Sequence, residues 1–252
     1  MAVEQIIDFK SHIPFYVQLI ELLKTHIQEG EWGPGEQIPS ELELCNNYRV
    51  SRTVVRQALR EMELDQIITR RKGKGTFVAK PKINEGLIQK LTGFYQDMVE
   101  RGLDPKTKVL HQRISSANKK ISKYLEIPIG SDVIDIYRLR YIHDEPIQLV
   151  TTYIPYQLSP TLEHVDLTNR SLYEYLEVEN GIKIARGKRY IEAVLSNEEE
   201  ARLLEIDERD PLIMLDSVSY SETGQVIEYY HAVHRGDRSR FEVELIRFDE
   251  GR

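Results

Sequence analysis

Three arginines, Arg52, Arg56 and Arg60, recur at every fourth position of "SRTVVRQALREMELDQII". On a helix that spacing stacks them on one face. A row of guanidinium groups can pair with phosphates, or take a guanine edge through two parallel hydrogen bonds. Just beyond them, "RRKGKGTFVAK" (70–80) crowds glycines, lysines and a threonine together, as a phosphate-wrapping loop would. Spacing rejects a nucleotide loop. A P-loop runs Gly-x4-Gly-Lys-Ser/Thr between a strand and a helix. With Gly73 and Lys74 in the Gly-Lys slot, Ile68 stands at the first glycine position, Gly75 at the hydroxyl position, and a strand-like run follows. The stretch reads as the tip of a basic hairpin that could press against DNA.

A second set of residues suits a small anion. Arg138 and Arg140 are two apart in "VIDIYRLRYI", so on a strand they share one face. Arg186 opens a later strand. Ser171 begins a helix, where orphan N–H groups and the dipole favour negative charge. Glu228, Tyr230 and His234 alternate onto one face of "VIEYYHAVHR" and could meet ligand hydroxyls. Each of these, taken alone, is also compatible with a surface ion pair. His231 and His234 look like a metal pair, yet three residues apart on a strand they face opposite ways. No nucleophile sits beside an obvious base, so the reading carries no metal, no cofactor and no catalytic residue.

Positioning these groups requires particular elements. Tyr16, Leu19, Ile20, Leu23 and Ile27 recur at helical spacing from Ile13 to a stop at Gly30. After the turn-rich "EWGPGEQIP", Ser40 and Glu43 form a capping box for a short helix ending near Tyr48. Ser51 caps a third helix, with Val54, Val55, Ala58, Leu59 and Met62 as its buried stripe. "IITRR" and "TFVAK" are then strands around a glycine turn. Residues 79–92 show no strong period and read as a connection. Beyond them, strands alternate with short helices. Residues 133–142 and 147–155 form a hairpin about "HDEP", 171–178 a helix, and 188–195 a strand. "SNEEEARLLEI" is a helix with a capping box from Ser196 to Glu199. "PLIMLDSVSYS" and "VIEYYHAVHR" make another hairpin, and "RFEVELIRF" a last strand. The fold class is α+β: a winged helix-turn-helix over 1–79, a connection over 80–92, and an antiparallel-sheet domain over 93–252.

Bulk properties agree. The 252 residues are 40% hydrophobic and 30% charged, an ordinary globular balance with room for two domains. No apolar run approaches the roughly 20 residues of a membrane span, and no secretory signal is seen. Cys45 is the single cysteine, so no intrachain disulfide forms. A soluble, cytoplasmic protein is expected. The net charge of −7 is unevenly spread. Residues 1–80 hold 11 basic and 11 acidic residues, leaving 23 and 30 in the remainder. Leu44–Arg60 has four arginines and no acid, and Arg70–Lys80 has five basic residues and no acid. Local patches, rather than the total, set the field a polyanion feels.

"GEWGPGEQIPSELEL", "SRTVVRQALREMELDQII" and "RRKGKGTFV" together resemble the winged helix-turn-helix of GntR-family transcription regulators. The resemblance implies a homodimer reading a short palindromic operator in double-stranded DNA. The implied DNA-binding set is Ser40, Glu41, Ser51, Arg52, Thr53 and Arg56, with Lys72, Gly73, Lys74, Gly75 and Thr76 at the wing tip. Leu42 stands where the family commonly supplies a DNA-contacting arginine, and Val54 where threonine is frequent. "LTGFYQDM", "IYRLRYIHDEPI", "SLYEYL" and "EYYHAVHRGDRSRF" resemble the UTRA effector domain of the HutC subfamily, related in fold to chorismate lyase. That likeness implies effector-binding roles for Arg138, Arg140, Ser171, Tyr173, Arg186, Glu228 and His234, toward a phosphorylated sugar or other anionic metabolite. Val150 and His234 replace a glutamate and a tyrosine of amino-sugar-phosphate-binding relatives. The expected function is a ligand-responsive repressor that is not an enzyme. The alternatives are a small-molecule enzyme with an accessory DNA-binding domain, and a DNA-binding dimer whose second domain binds no effector.

Overall fold

The structure, a computed structural model, describes residues 6–71, 73–86 and 93–244. The chain divides into two compact units, 1–81 and 82–252.

In the first unit, α1 (Phe15–Gln28) buries Leu19, Ile20 and Leu23. Helix α2 (Glu41–Tyr48) begins at the expected capping box: Ser40 Oγ accepts from the Glu43 N–H at 3.3 Å, and the Ser40 N–H donates to Glu43 Oε2 at 2.8 Å. It ends at Arg49, which turns the chain in the left-handed region with φ 55°. Helix α3 (Arg52–Leu64) starts where Ser51 Oγ accepts from the Val54 N–H. Its Val55, Ala58, Leu59 and Met62 are buried, while Val54 packs half-buried against the same core. Each fully buried Leu in that cluster contributes on the order of 1.5–3 kcal/mol. Strands β1 (Ile68–Arg71) and β2 (Gly75–Val78) pair antiparallel, and Gln37 bridges to Phe77 on the wing's other edge.

In the second unit, β3 (Ile83–Glu85) is followed by α4 (Phe94–Glu100), β4 (Pro105–Ser116), α5 (Lys119–Leu125), β5 (Asp132–Ile142) and β6 (Glu145–Pro155). Two 3-10 turns lead to α6 (Leu172–Asn180), β7 (Ile184–Leu195), α7 (Glu198–Leu204), β8 (Pro211–Ser221), β9 (Val226–Arg235) and β10 (Ser239–Phe241). Six strands form one antiparallel sheet in the order β4-β5-β6-β9-β8-β7, and β3 pairs with β10 in parallel. Strand alternation assigns the faces. Val133 packs with α5 and Leu139 with α7, whereas Ile134 and Ile136 pack with α6. Arg138 and Arg140 continue the α6-side row.

Three expectations shift. Within the stretch read as a connection, Ile83–Glu85 is a strand of the second unit, and residues 87–92 lie outside the described residues. The capping box of α7 uses Asn197 and Glu200, not Ser196 and Glu199. Ser196 is buried, and its hydroxyl donates to the Asp207 carbonyl at 3.1 Å, so it is unavailable as a cap. The last strand is Ser239–Phe241, so it holds only Arg240 and Phe241 of the expected run, whose residues 245–248 lie outside the described residues.

Candidate functional site

In the first unit, Ser51, Arg52, Thr53, Arg56 and Arg60 are all exposed along α3. The burial of Val55, Ala58 and Leu59 turns that face outward. Arg56 Nε donates to Glu41 Oε2 at 2.9 Å, tying α3 to the start of α2. The hydroxyls of Ser40 and Ser51 are both engaged as helix caps. Leu42 is exposed beside them at 59%. In the wing, Gly73, Lys74 and Gly75 are exposed and Thr76 is half-buried; Lys72 lies outside the described residues. Gly75 has φ +123°, a backbone conformation that favours glycine, and a Cβ there would also push the end of the Gln37 side chain aside. Arg71 lies over the Phe77 ring at 5.1 Å.

In the second unit, a partly open cavity lies on the α6 side of the sheet. Arg138, Arg140, Ser171, Tyr173 and Glu228 line it, joined by Gly93, Phe94, Tyr95, Thr107, Arg170, Leu172, Arg189, Leu215 and Tyr230. The structure thus brings together five of the seven residues expected to bind an effector.

Two expected residues stand elsewhere. Arg186 does not line the cavity. It pairs with Tyr220 across β7 and β8 and stacks on that ring at 3.9 Å, on the opposite face of the strand. Arg189, three residues on, occupies the cavity face instead, its Nε donating to Ser217 Oγ at 3.1 Å. His234 is wholly buried behind the cavity wall rather than on it. Its position is set by Gln148. Arginine can only donate, so the 3.1 Å contact from Arg140 Nη1 fixes the Gln148 oxygen toward Arg140. The Gln148 amide nitrogen then donates to Tyr230 Oη and to His234 Nε2, the latter at 2.8 Å. This leaves His234 Nδ1 to carry the proton donated to Glu85 Oε1 at 3.0 Å. The chain Glu85–His234–Gln148 therefore runs from β3 to two cavity-lining residues.

Electrostatics of the cavity are lopsided. Among the described residues, four arginines face a single lining carboxylate, Glu228. That carboxylate already accepts from Tyr173 Oη at 2.6 Å and from Ser219 Oγ at 3.1 Å. Burial, then the Glu228 charge, raises the Tyr173 phenol, so it remains a donor. Arg138 is 2% exposed and donates from Nη2 to Thr152 Oγ1 at 3.1 Å. Burial, with Arg140 adding repulsion, pushes its guanidinium down to about 9. Arg138 Nε and Arg189 Nη1 have no hydrogen-bond partner among the described residues. Arg140 packs over the Phe94 ring at 4.8 Å. Ser171 caps α6, its Oγ accepting from the Glu174 N–H, so the helix N-terminus borders the arginines. Val150 sits directly across from Arg138 and offers it no charge.

His231 and His234 face opposite sides of β9: His231 Nδ1 contacts Asp216 Oδ1 at 2.7 Å on the α5 side. Among the described residues, no group of three His, Cys, Asp or Glu gathers as a metal site, and no helix is long and apolar enough to cross a membrane.

Comparisons with known proteins agree with both units. Residues 15–78 match the gntR family of bacterial regulatory proteins, and residues 100–240 match the UTRA domain. The HTH-type transcriptional repressor NagR of Bacillus subtilis is 34% identical over 235 residues, 93% of this chain and 96% of its own. The mannosyl-D-glycerate transport/metabolism system repressor MngR of Escherichia coli is 31% identical over 230 residues, 91% of this chain and 95% of its own. Among solved structures, PhnF from Mycobacterium smegmatis superposes with a TM-score of 0.64 at 29% identity, covering 90% of this chain and 98% of that one. An arginine-faced helix-turn-helix with a basic wing, joined to a cavity-bearing UTRA sheet, thus has its counterparts among one set of regulators, and the chain belongs to the gntR family as a DNA-binding transcription repressor of the HutC and NagR type.

Proposed function

We propose that this repressor is a cytoplasmic homodimer released from a palindromic operator when a small phosphorylated metabolite, a sugar phosphate above all, fills the cavity of its UTRA domain. One observation carries the reading: among the described residues, four arginines, two of them with unpartnered N–H groups, line a cavity whose single lining carboxylate is already hydrogen-bonded. A phosphate supplies the missing acceptors, and Glu228 and Tyr230 suit sugar hydroxyls. MngR's name ties that relative to mannosyl-D-glycerate, which favours a sugar-derived ligand here.

On the DNA side, Arg52 and Arg56 with Ser51 and Thr53 meet the major groove, Ser40 and Glu41 stand where α2 crosses the backbone, and the wing tip, Lys72 to Thr76, meets the minor groove. Two recognition helices must match half-sites about 34 Å apart, and effector binding shifts the dimer away from that spacing.

The test is a thermal-shift panel of inorganic phosphate, hexose phosphates, organic acids and neutral sugars, because a ligand that binds only the folded state raises its stability. Active compounds are then added to a complex with an operator selected from random duplex DNA. A hexose phosphate should raise the melting temperature and release the DNA. Response to neutral sugars alone would overturn the anion assignment, and chemical turnover of the compound would favour an enzyme.

A further inference from the structure

The guanidinium groups around the cavity are held apart by the strands beneath them. Thr152 of β6 pairs with Tyr230 of β9, Tyr230 with Ser217 of β8, and Ser217 with Arg189 of β7, one row across the sheet. Arg138 Nη2 donates to Thr152 Oγ1 at one end of that row, and Arg189 Nε donates to Ser217 Oγ at the other, each at 3.1 Å. Each bond anchors a guanidinium over the strand next to its own. Neighbouring strands lie about 4.8 Å apart, so the two anchors are roughly 10 Å apart, with Tyr230 between them. That span suits two groups better than one tetrahedral oxyanion reached through hydrogen bonds of about 2.9 Å.

The two ends differ. At the β5 end Arg138 is joined by Arg140, which Gln148 also anchors over β6, and Thr107 stands opposite Arg140 on β4. Two guanidinium groups there can share a phosphate carrying about −1.5 to −2 charge. The fourth arginine, Arg170, is already paired with Glu179 at 3.4 Å. At the β7 end Arg189 stands alone. Among the described residues its hydrogen bond goes to the neutral Ser217, and its Nη1 is buried without a partner. The lining carboxylate, Glu228, is taken by Tyr173 and Ser219. A phosphate held by the β5 pair therefore leaves Arg189 a charge with neutral hydrogen-bond partners, which is costly in a partly buried place. Between the ends, Tyr230 Oη accepts from the Gln148 amide, so its own proton is free for a ligand hydroxyl.

We infer that the cavity takes a two-ended acid, a sugar-sized molecule with a phosphate on Arg138 and Arg140 and a carboxylate at its far end on Arg189. The inference rests on the phosphorylated-ligand reading above and narrows it to phosphorylated sugar acids. Arg189 is then the specificity-determining residue. Its guanidinium makes a charge-assisted hydrogen bond to the carboxylate that a plain sugar phosphate of the same length cannot return.

The experiment is isothermal titration of the full chain with matched pairs of compounds. Pentose and hexose phosphates are each set against the aldonate phosphate in which C1 is a carboxylate, as glucose 6-phosphate against 6-phosphogluconate. At least one aldonate phosphate should bind roughly tenfold or more tighter than its aldose partner, the order expected of one charge-assisted hydrogen bond. Arg189→Gln should abolish that preference and leave the affinity for the aldose phosphate unchanged. Arg186→Gln, on the same strand but stacked on Tyr220 across the opposite face, should keep the preference. If no pair favours the acid, the two-ended ligand is overturned and the sugar-phosphate reading stands. A preference that survives Arg189→Gln, or is lost equally in Arg186→Gln, overturns the role of Arg189. Binding of no phosphorylated compound removes the phosphorylated-ligand reading itself, and this inference with it.

Discussion

Replacing Arg138 by methionine should make the ligand-free protein more stable while destroying its response to ligand. Arg138 is 2% exposed, donates a hydrogen bond to Thr152, and shares its cavity with Arg140. Its guanidinium is held at about 9, against an ordinary value above 12. At about 1.36 kcal/mol per pH unit, that gap amounts to roughly 4–5 kcal/mol spent keeping the charge buried and beside Arg140. The figure is an upper bound, since methionine abandons the Thr152 bond, worth about 1 kcal/mol, and fills the space imperfectly. Replacing a whole buried ion pair by apolar side chains can return about 1–4 kcal/mol, but here Glu228 stays behind without Arg138's attraction, so the net gain expected is on the order of 1 kcal/mol. For a unit of this size that is roughly 2–4 °C in melting temperature. Differential scanning calorimetry, with and without the hexose phosphate found active in the thermal-shift panel, reads both halves of the expectation. Arg138→Met should melt higher than wild type alone and gain little from ligand. A variant that melts lower without ligand shows that the guanidinium is already satisfied, and the reasoning fails; one that keeps the full ligand shift removes Arg138 from the site.

Further outcomes follow from the same geometry. Arg52→Ala should weaken operator binding by roughly 1–3 kcal/mol and relax selectivity at one base position, measured by gel shift at fixed salt; unchanged affinity would take Arg52 off the interface. Gly75→Ala forces a side chain into φ +123° and against Gln37, and should cost the DNA-binding unit on the order of 1–3 kcal/mol in thermal melts; an unaffected variant would show that the wing relaxes freely. Glu85→Gln keeps an acceptor for His234 but puts an amide N–H₂ where Glu85 Oε2 has no described partner, and should lose about 1–3 kcal/mol in urea melts of the second unit. A neutral result there would mean that the space beside Glu85 Oε2 takes an amide without cost.

The N-terminal unit was legible because its signals are local. Ser40 with Glu43, and Ser51 before Val54, announce two helices within four residues each, and the stripe from Val55 to Met62 orients the arginines by period alone. Arg138 and Arg140 were legible for a similar reason, since parity along a strand survives any error in its ends. Arg189 was not. "RGKRY" offers two arginines of opposite parity, and only the register of β7 with β8, slipped between Ile184 and Arg186, decides which faces the cavity. The α7 cap shifted by one because Ser196 and Asn197 each have a glutamate three residues on, and only burial of Ser196 separates them. Glu85 gave no signal at all. Its partner lies 149 residues away, and such a pairing exists only in the folded sheet.

That distant pairing dictates where the molecule can be cut and rejoined. A chimera carrying another DNA-binding unit on this sensor looks easiest to splice just ahead of α4, where the first clear helix of the second unit begins. Such a junction would discard β3, strip β10 of its parallel neighbour and leave His234 donating into an empty space behind the cavity. The sensor's amino-terminal strand is a transplantable part of the sensor, and a working graft must keep the native chain from Lys82 onward.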